Sequence, residues 1–222
     1  MATPGMLVQV MAETLGIPAP TVILFDRVLA ENGLRSKSGR GNSAAQVTER
    51  DAANLLIALM AAPVQGAAVR DAALTCQTYG QLPLFGRPAE GKEFAKYGLH
   101  SLKKLAGEVH FSQAVEALIR EAADGGEFRY RGRVKSSPDN DRPFNIKVQG
   151  PTPWACFQVE RPADEPPGPG LYFTDIRARK PRSPSDPDMW QARHVTYRTI
   201  RALAALIAGD SDVEAKLKKG VA

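Results

Sequence analysis

Cysteine is nearly missing from this chain of 222 residues: Cys76 and Cys156 are the only two. Lying far apart, they suit neither a disulfide framework nor a Cys-x-x-Cys metal knuckle, so a reducing compartment is the simpler expectation. Histidine is equally scarce. His100, His110 and His194 are scattered without His-x-x-x-His or His-x-Glu spacing, so no metal site is predicted and satisfied or exposed imidazoles are expected. No stretch approaches the roughly 20 apolar residues of a membrane span. The N-terminus lacks a basic region followed by an apolar core and a small-residue cleavage site. A cytoplasmic protein with no membrane partner is therefore expected. The Gly-x-Ser-x-Gly motif, the P-loop and the dinucleotide fingerprint are also absent, and Gly39-Arg40-Gly41 is too short and too basic to stand in for one. With no nucleophile or acid/base set in view, the expectation is a non-enzyme without cofactors. A clustered Asp/Glu/His site in the C-terminal sheet would reverse it.

What is present is an ordinary globular composition. At 43% hydrophobic residues the chain can bury one large core or two modest ones, and two domains are expected. Lys and Arg number 29 against 24 Asp and Glu, a formal charge of +5. That mild excess permits a phosphate-bearing partner without establishing one.

Along the chain, Leu7, Val10, Met11 and Leu15 recur at helical spacing until Gly16-Ile17-Pro18 interrupts them. Pro20 suits the first turn of a second helix with Val22, Phe25, Val28 and Leu29 as its inner stripe and Gly33 as its stop. The segment from Leu34 to Ser43 is basic, small and free of acids, so an exposed loop is predicted. Thr48 with Asp51 three residues on reads as a capping box, and Ala52, Leu55, Leu56, Leu59 and Met60 predict a third, amphipathic helix before Pro63. Further helices are predicted over 66–79, 91–106 and 112–124, with a loop from Leu82 to Pro88. After Asp124-Gly125-Gly126 the period changes to two: Phe128, Tyr130 and Val134 alternate with Arg129, Arg131, Arg133 and Lys135. Strands at 144–149, 154–160 and 171–178 would complete an antiparallel meander. Asp186-Pro187 predicts the start of a last helix to about 208, with Val195, Ala202, Leu203 and Leu206 against the sheet.

The order helix, tight turn, helix, basic glycine-containing loop and capped helix resembles the MerR/excisionase-like winged helix-turn-helix family. The residues that carry the resemblance are Met11-Ala12-Glu13-Thr14-Leu15-Gly16-Ile17, then Gly33-Leu34, then Thr48-Glu49-Arg50-Asp51, within residues 6–61. Two features depart from the family's pattern: the second helix runs a couple of residues longer, and Ile23 stands where a polar or basic reader is usual. The resemblance implies a recognition helix with Thr21 and Arg27 toward base edges, and a wing whose Arg35, Lys37, Arg40 and Asn42 reach the DNA backbone or minor groove. A loop whose cations only keep the protein soluble is the plainer reading. The style of residues 33–60 is also similar to small regulators carried by prophages.

The alternating face Arg129, Arg131, Arg133, Lys135 is a possible secondary basic surface, for flanking DNA or an acidic partner; a solvated outer sheet face is the alternative. Trp154, Trp190 and Tyr197 are expected in core packing rather than in a ligand pocket.

Together these readings predict an α+β protein. A winged helix-turn-helix DNA-binding domain would occupy 1–63, a helical connector 64–125, and an α+β domain for dimerisation or partner binding 126–222, its antiparallel sheet packed on a helix. The expected function is a sequence-specific transcriptional regulator of double-stranded DNA acting as a homodimer, with a protein partner at the C-terminal domain. The alternative is a DNA-packaging or partition accessory protein using the same module.

Overall fold

The computed structural model describes residues 2–36, 46–63, 68–85, 100–101, 109–125, 144–159, 170–175 and 191–209. The predicted loop residues Lys37, Arg40 and Asn42, the basic strand Arg129, Arg131, Arg133 and Lys135, the helix at 91–106 except residues 100–101, and Trp190 lie outside them.

Helix α1 (Pro4–Leu15) starts at Thr3, whose hydroxyl accepts from the Met6 N–H. It ends at Gly16, whose φ of 65° is left-handed and strongly favours glycine. Two residues later α2 (Ala19–Glu31) begins, with proline in its first turn, and it buries Val22, Phe25, Asp26 and Leu29. Leu15 and Ile17 pack against the core from the tight turn. Helix α3 (Glu49–Ala61) carries the predicted capping box: the Asp51 N–H donates to the Thr48 hydroxyl, and the Thr48 N–H returns a bond to the Asp51 carboxylate.

Helix α3 departs from the amphipathic helix expected. Every residue from Asp51 to Met60 is buried, because α2, α4 (Ala72–Gly80), α5 (Phe111–Ala123) and strands of the sheet enclose it. Small residues make this possible, since Ala53 and Ala58 let neighbours approach on the sides away from the leucine stripe.

The sheet is antiparallel, in the order β1-β4-β3-β2-β5, built from β1 (Leu84–Phe85), β2 (Phe144–Gly150), β3 (Trp154–Val159), β4 (Gly170–Phe173) and β5 (Gln191–Thr196). The meander of β2, β3 and β4 is as expected. Strand β1 falls in what was predicted as loop, and it pairs with β4 through Leu84 and Phe173. The last helix is also corrected: residues 191–196 are a strand on β2, with Ile146 opposite Val195, and helix α6 (Tyr197–Ala208) begins only after it. Gln191, Arg193 and Val195 share one face and Ala192, His194 and Thr196 the other, a period-two pattern that register with β2 stabilises. Ala202, Leu203 and Leu206 pack inward as predicted.

Among the described residues, helix α5 packs on one sheet face. Phe111 of α5 meets Phe157 and Phe173 there, with ring centroids 5.6 and 5.3 Å away. On the other face Trp154 lies 5.9 Å from the Tyr172 ring, and the Lys147 ammonium donates to Gln158 at 3.0 Å. Tyr197 is buried in the core. Helix α1 packs on α6, and among the described residues one hydrophobic cluster runs from Ala2 to Leu206. Both cysteines are free and buried, and burial raises the Cys76 thiol to about 12 and the Cys156 thiol to about 11, which leaves neither nucleophilic.

Candidate functional site

Helices α1 and α2 with the tight turn between them present one outward surface, the face of α2 opposite Val22, Phe25 and Leu29. Pro20, Ile23, Leu24, Arg27 and Glu31 follow one another along it at helical spacing, all exposed. Ile23 and Leu24 are 52% and 48% exposed, an apolar pair in the middle of this surface. Arg27 has 74% of its side chain in solvent and forms an i,i+4 ion pair with Glu31 at 3.0 Å, worth only about 0.3–0.5 kcal/mol. A phosphate would readily outcompete it.

Beyond α2 the chain is fastened to the start of α3. The Leu34 carbonyl accepts from the Asn54 amide at 2.6 Å, and the Ser36 N–H donates to Asp51 Oδ1 at 2.7 Å. The other oxygen of the same carboxylate accepts the Thr48 N–H and hydroxyl, both at 2.9 Å. Residues 36 and 48 thus meet at one buried side chain, and Val47 is held further by its N–H bond to the Ala2 carbonyl at 3.0 Å. The intervening sequence contains Lys37 and Arg40 and no acid. Asp51→Ala should destabilise the protein by about 3 kcal/mol in urea unfolding, from a lost cap of about 1 kcal/mol and two N–H groups left without acceptors at about 1 kcal/mol each, the low end of the usual cost because Ser36 and Thr48 are exposed to water. Asp51→Asn, which keeps one acceptor oxygen, should fall between.

The predicted contact residues scatter in the structure. Thr21 is half-buried and faces away from the outward surface, into a cleft toward β5. Arg35 turns inward: its Nε lies 2.7 Å from Asp26 Oδ1, and both side chains are only 11% exposed. The contact lies off the hydrogen-bonding direction, so it is an electrostatic pair within the fold rather than a free cation of a loop. Burial holds the Asp26 carboxyl above the usual range, opposed by the Arg35 charge and reinforced by nearby Asp51. Of the six expected contacts, only Arg27 is both described and presented outward.

What sequence reasoning missed is the cleft itself, about 540 Å³, lined by the α1–α2 turn, the end of α3 and β5. Arg193 lines it and donates to the Leu59 carbonyl at 2.7 Å; Gln191 likewise reaches the Ala62 carbonyl at 2.9 Å. No local signal pointed to Arg193, since its partner Leu59 lies 134 residues away in the chain, just as the Ala62 partner of Gln191 lies 129 away.

Fold and site together define an α+β protein in which the exposed face of α2 and the Asp51 carboxylate joining Ser36 to Thr48 stand on one core. Compared with protein-family models, curated proteins and solved structures, the chain matches none. Among the described residues no helix is long and apolar enough to cross a membrane.

Proposed function

We propose that the protein binds double-stranded DNA as a regulator, through the outward face of α2 and the basic segment beyond it. The observation that carries this reading is the Asp51 clamp: one carboxylate ties together Ser36 and Thr48, the two ends of a segment with Lys37 and Arg40 and no acid, next to a helix whose outer face has no covering element among the described residues. Arg27 supplies a base or phosphate contact. Ile23 and Leu24 suit the methyl groups of thymine rather than hydrogen-bonding base edges. Thr21 and Arg35 have no part in it, being turned to the cleft and to Asp26.

Electrophoretic mobility shifts on genomic fragments test the proposal. With about four phosphate contacts, affinity should fall roughly a hundredfold between about 50 and 200 mM salt. Substituting Lys37 and Arg40 together by alanine should shrink the salt slope by about two contacts on every sequence. Salt-insensitive binding, or none at low salt, would overturn it.

The exposed Ile23 and Leu24 favour a second reading, an accessory protein that docks on another protein of a DNA-packaging or partition assembly. Apolar pairs of this kind belong at protein contacts more often than in a groove. Leu24→Asp separates the two: it abolishes assembly while sparing the salt slope in the second case, and removes DNA affinity in the first.

A further inference from the structure

The cleft between the helix pair and the sheet joins two features that rarely meet without a ligand. Its walls are mostly apolar, with Leu15, Ile17, Phe25, Met60 and Val195 among the lining residues, and its volume of about 540 Å³ lies within the range of small-molecule sites. Into it comes Arg193, a half-buried cation with no carboxylate partner among the described residues. One of its N–H groups goes to the Leu59 carbonyl at 2.7 Å, near the end of α3, where the helix supplies only partial negative charge. A guanidinium has five N–H donors, so others remain for a ligand. Burial alone depresses the Arg193 pKa, with no opposing acid. A desolvated, uncompensated cation is costly, and an anion completes it.

We propose that this cleft binds a small amphiphilic carboxylate, a medium-chain fatty acid or an arylalkanoic acid, with the carboxylate on the Arg193 guanidinium and the hydrocarbon between α1, α2 and α3. A bidentate carboxylate fits the planar fork that a lysine lacks. The inference stands apart from DNA binding, because the cleft lies on the side of α2 away from Ile23 and Leu24. Its walls nevertheless come from both ends of the chain, from Leu15 to Val195, so a ligand there would brace the helix pair against the sheet.

The test is isothermal titration calorimetry on the full chain with sodium octanoate and 1-octanol, two probes of matched tail and different head. Octanoate should saturate one site at least roughly tenfold more tightly than octanol, as a charge-assisted bond in a partly desolvated site provides. Arg193→Met should remove that preference and leave octanol binding unchanged, whereas Thr21→Phe, which fills the cleft, should abolish both. Should Arg193→Met fail to fold, Arg193→Lys serves in its place, and the octanoate preference should shrink because an ammonium lacks the planar fork; a preference unchanged in Arg193→Lys would count against the assignment. Equal affinity for the two probes, a preference that survives Arg193→Met, or no saturable octanoate binding by the wild-type chain would overturn the assignment.

Discussion

Arg35→Ala should lower the unfolding free energy by about 3–5 kcal/mol, the usual cost of leaving one partner of a buried ion pair behind. Asp26, 8% exposed in the wild-type fold, would then have Asp51 nearby and lose the Arg35 charge that opposes them. Removing both charges together, as Asp26→Leu with Arg35→Met, should bring stability back close to wild type, because the desolvation of each ion disappears with its partner. Acid should narrow the single variant's deficit. The Asp26 carboxyl is raised in the folded state by burial first, so the folded chain binds this proton more readily than the unfolded chain does. The group's contribution therefore grows as pH falls through the raised value toward the ordinary carboxylate range, and is lost as pH rises through it. Without Arg35 the folded value moves higher still, so the variant should regain more stability than wild type between neutral pH and about pH 5. Urea unfolding at both pH values checks this. If Arg35→Ala instead left stability within about 0.5 kcal/mol of wild type while DNA affinity fell, the arginine would be a direct contact after all.

The parts of the fold that were legible in the sequence are those set within a few residues. Gly16 stops α1 through its own φ, and Thr48 with Asp51 caps α3 through a bond three residues long; both were read correctly. Partners across the chain were not. The stripe of Ala52, Leu55, Leu56, Leu59 and Met60 suggested one buried face, but Ala53, Asn54, Ile57 and Ala58 are buried too, and Asn54 is there because it holds the Leu34 carbonyl 20 residues back. Residues 191–196 read as helix because Asp186-Pro187 looked like its start, whereas pairing with β2, about 45 residues earlier in the chain, decides the matter. The candidate site divides in the same way. Ile23 stood out in sequence as an odd base reader, and it is indeed the exposed apolar residue at the centre of the α2 face. Arg35 looks like a free loop cation in the sequence because nothing local shows that Asp26, nine residues earlier, faces it. A cation in an acid-free stretch looks free until the fold supplies its counterion.

Phe157→Ala should cost about 3–5 kcal/mol, and its reach along the chain matters as much as its size. The Phe157 ring lies 5.6 Å from Phe111 and 5.5 Å, edge-on, from Phe173, and all three are fully buried. Helix α5 and strands β3 and β4 meet at these rings, so truncation removes contacts from three elements that cannot collapse into the space independently. Phe157→Leu, which keeps most of the volume, should cost about 1.5 kcal/mol or less. Helix α5 also packs on α3, and α3 supports α2 and the clamp at Asp51. With a continuous core, hydrogen exchange at Leu55 to Leu59 of α3 should accelerate in Phe157→Ala by the factor matching the global loss, roughly a hundredfold or more, since each 1.4 kcal/mol is tenfold. Were residues 1–63 an independent domain, those amides would keep their wild-type protection while the sheet alone lost stability. Exchange at the α3 amides therefore shows whether a ligand in the cleft or a defect in the sheet reaches the α2 surface through the core.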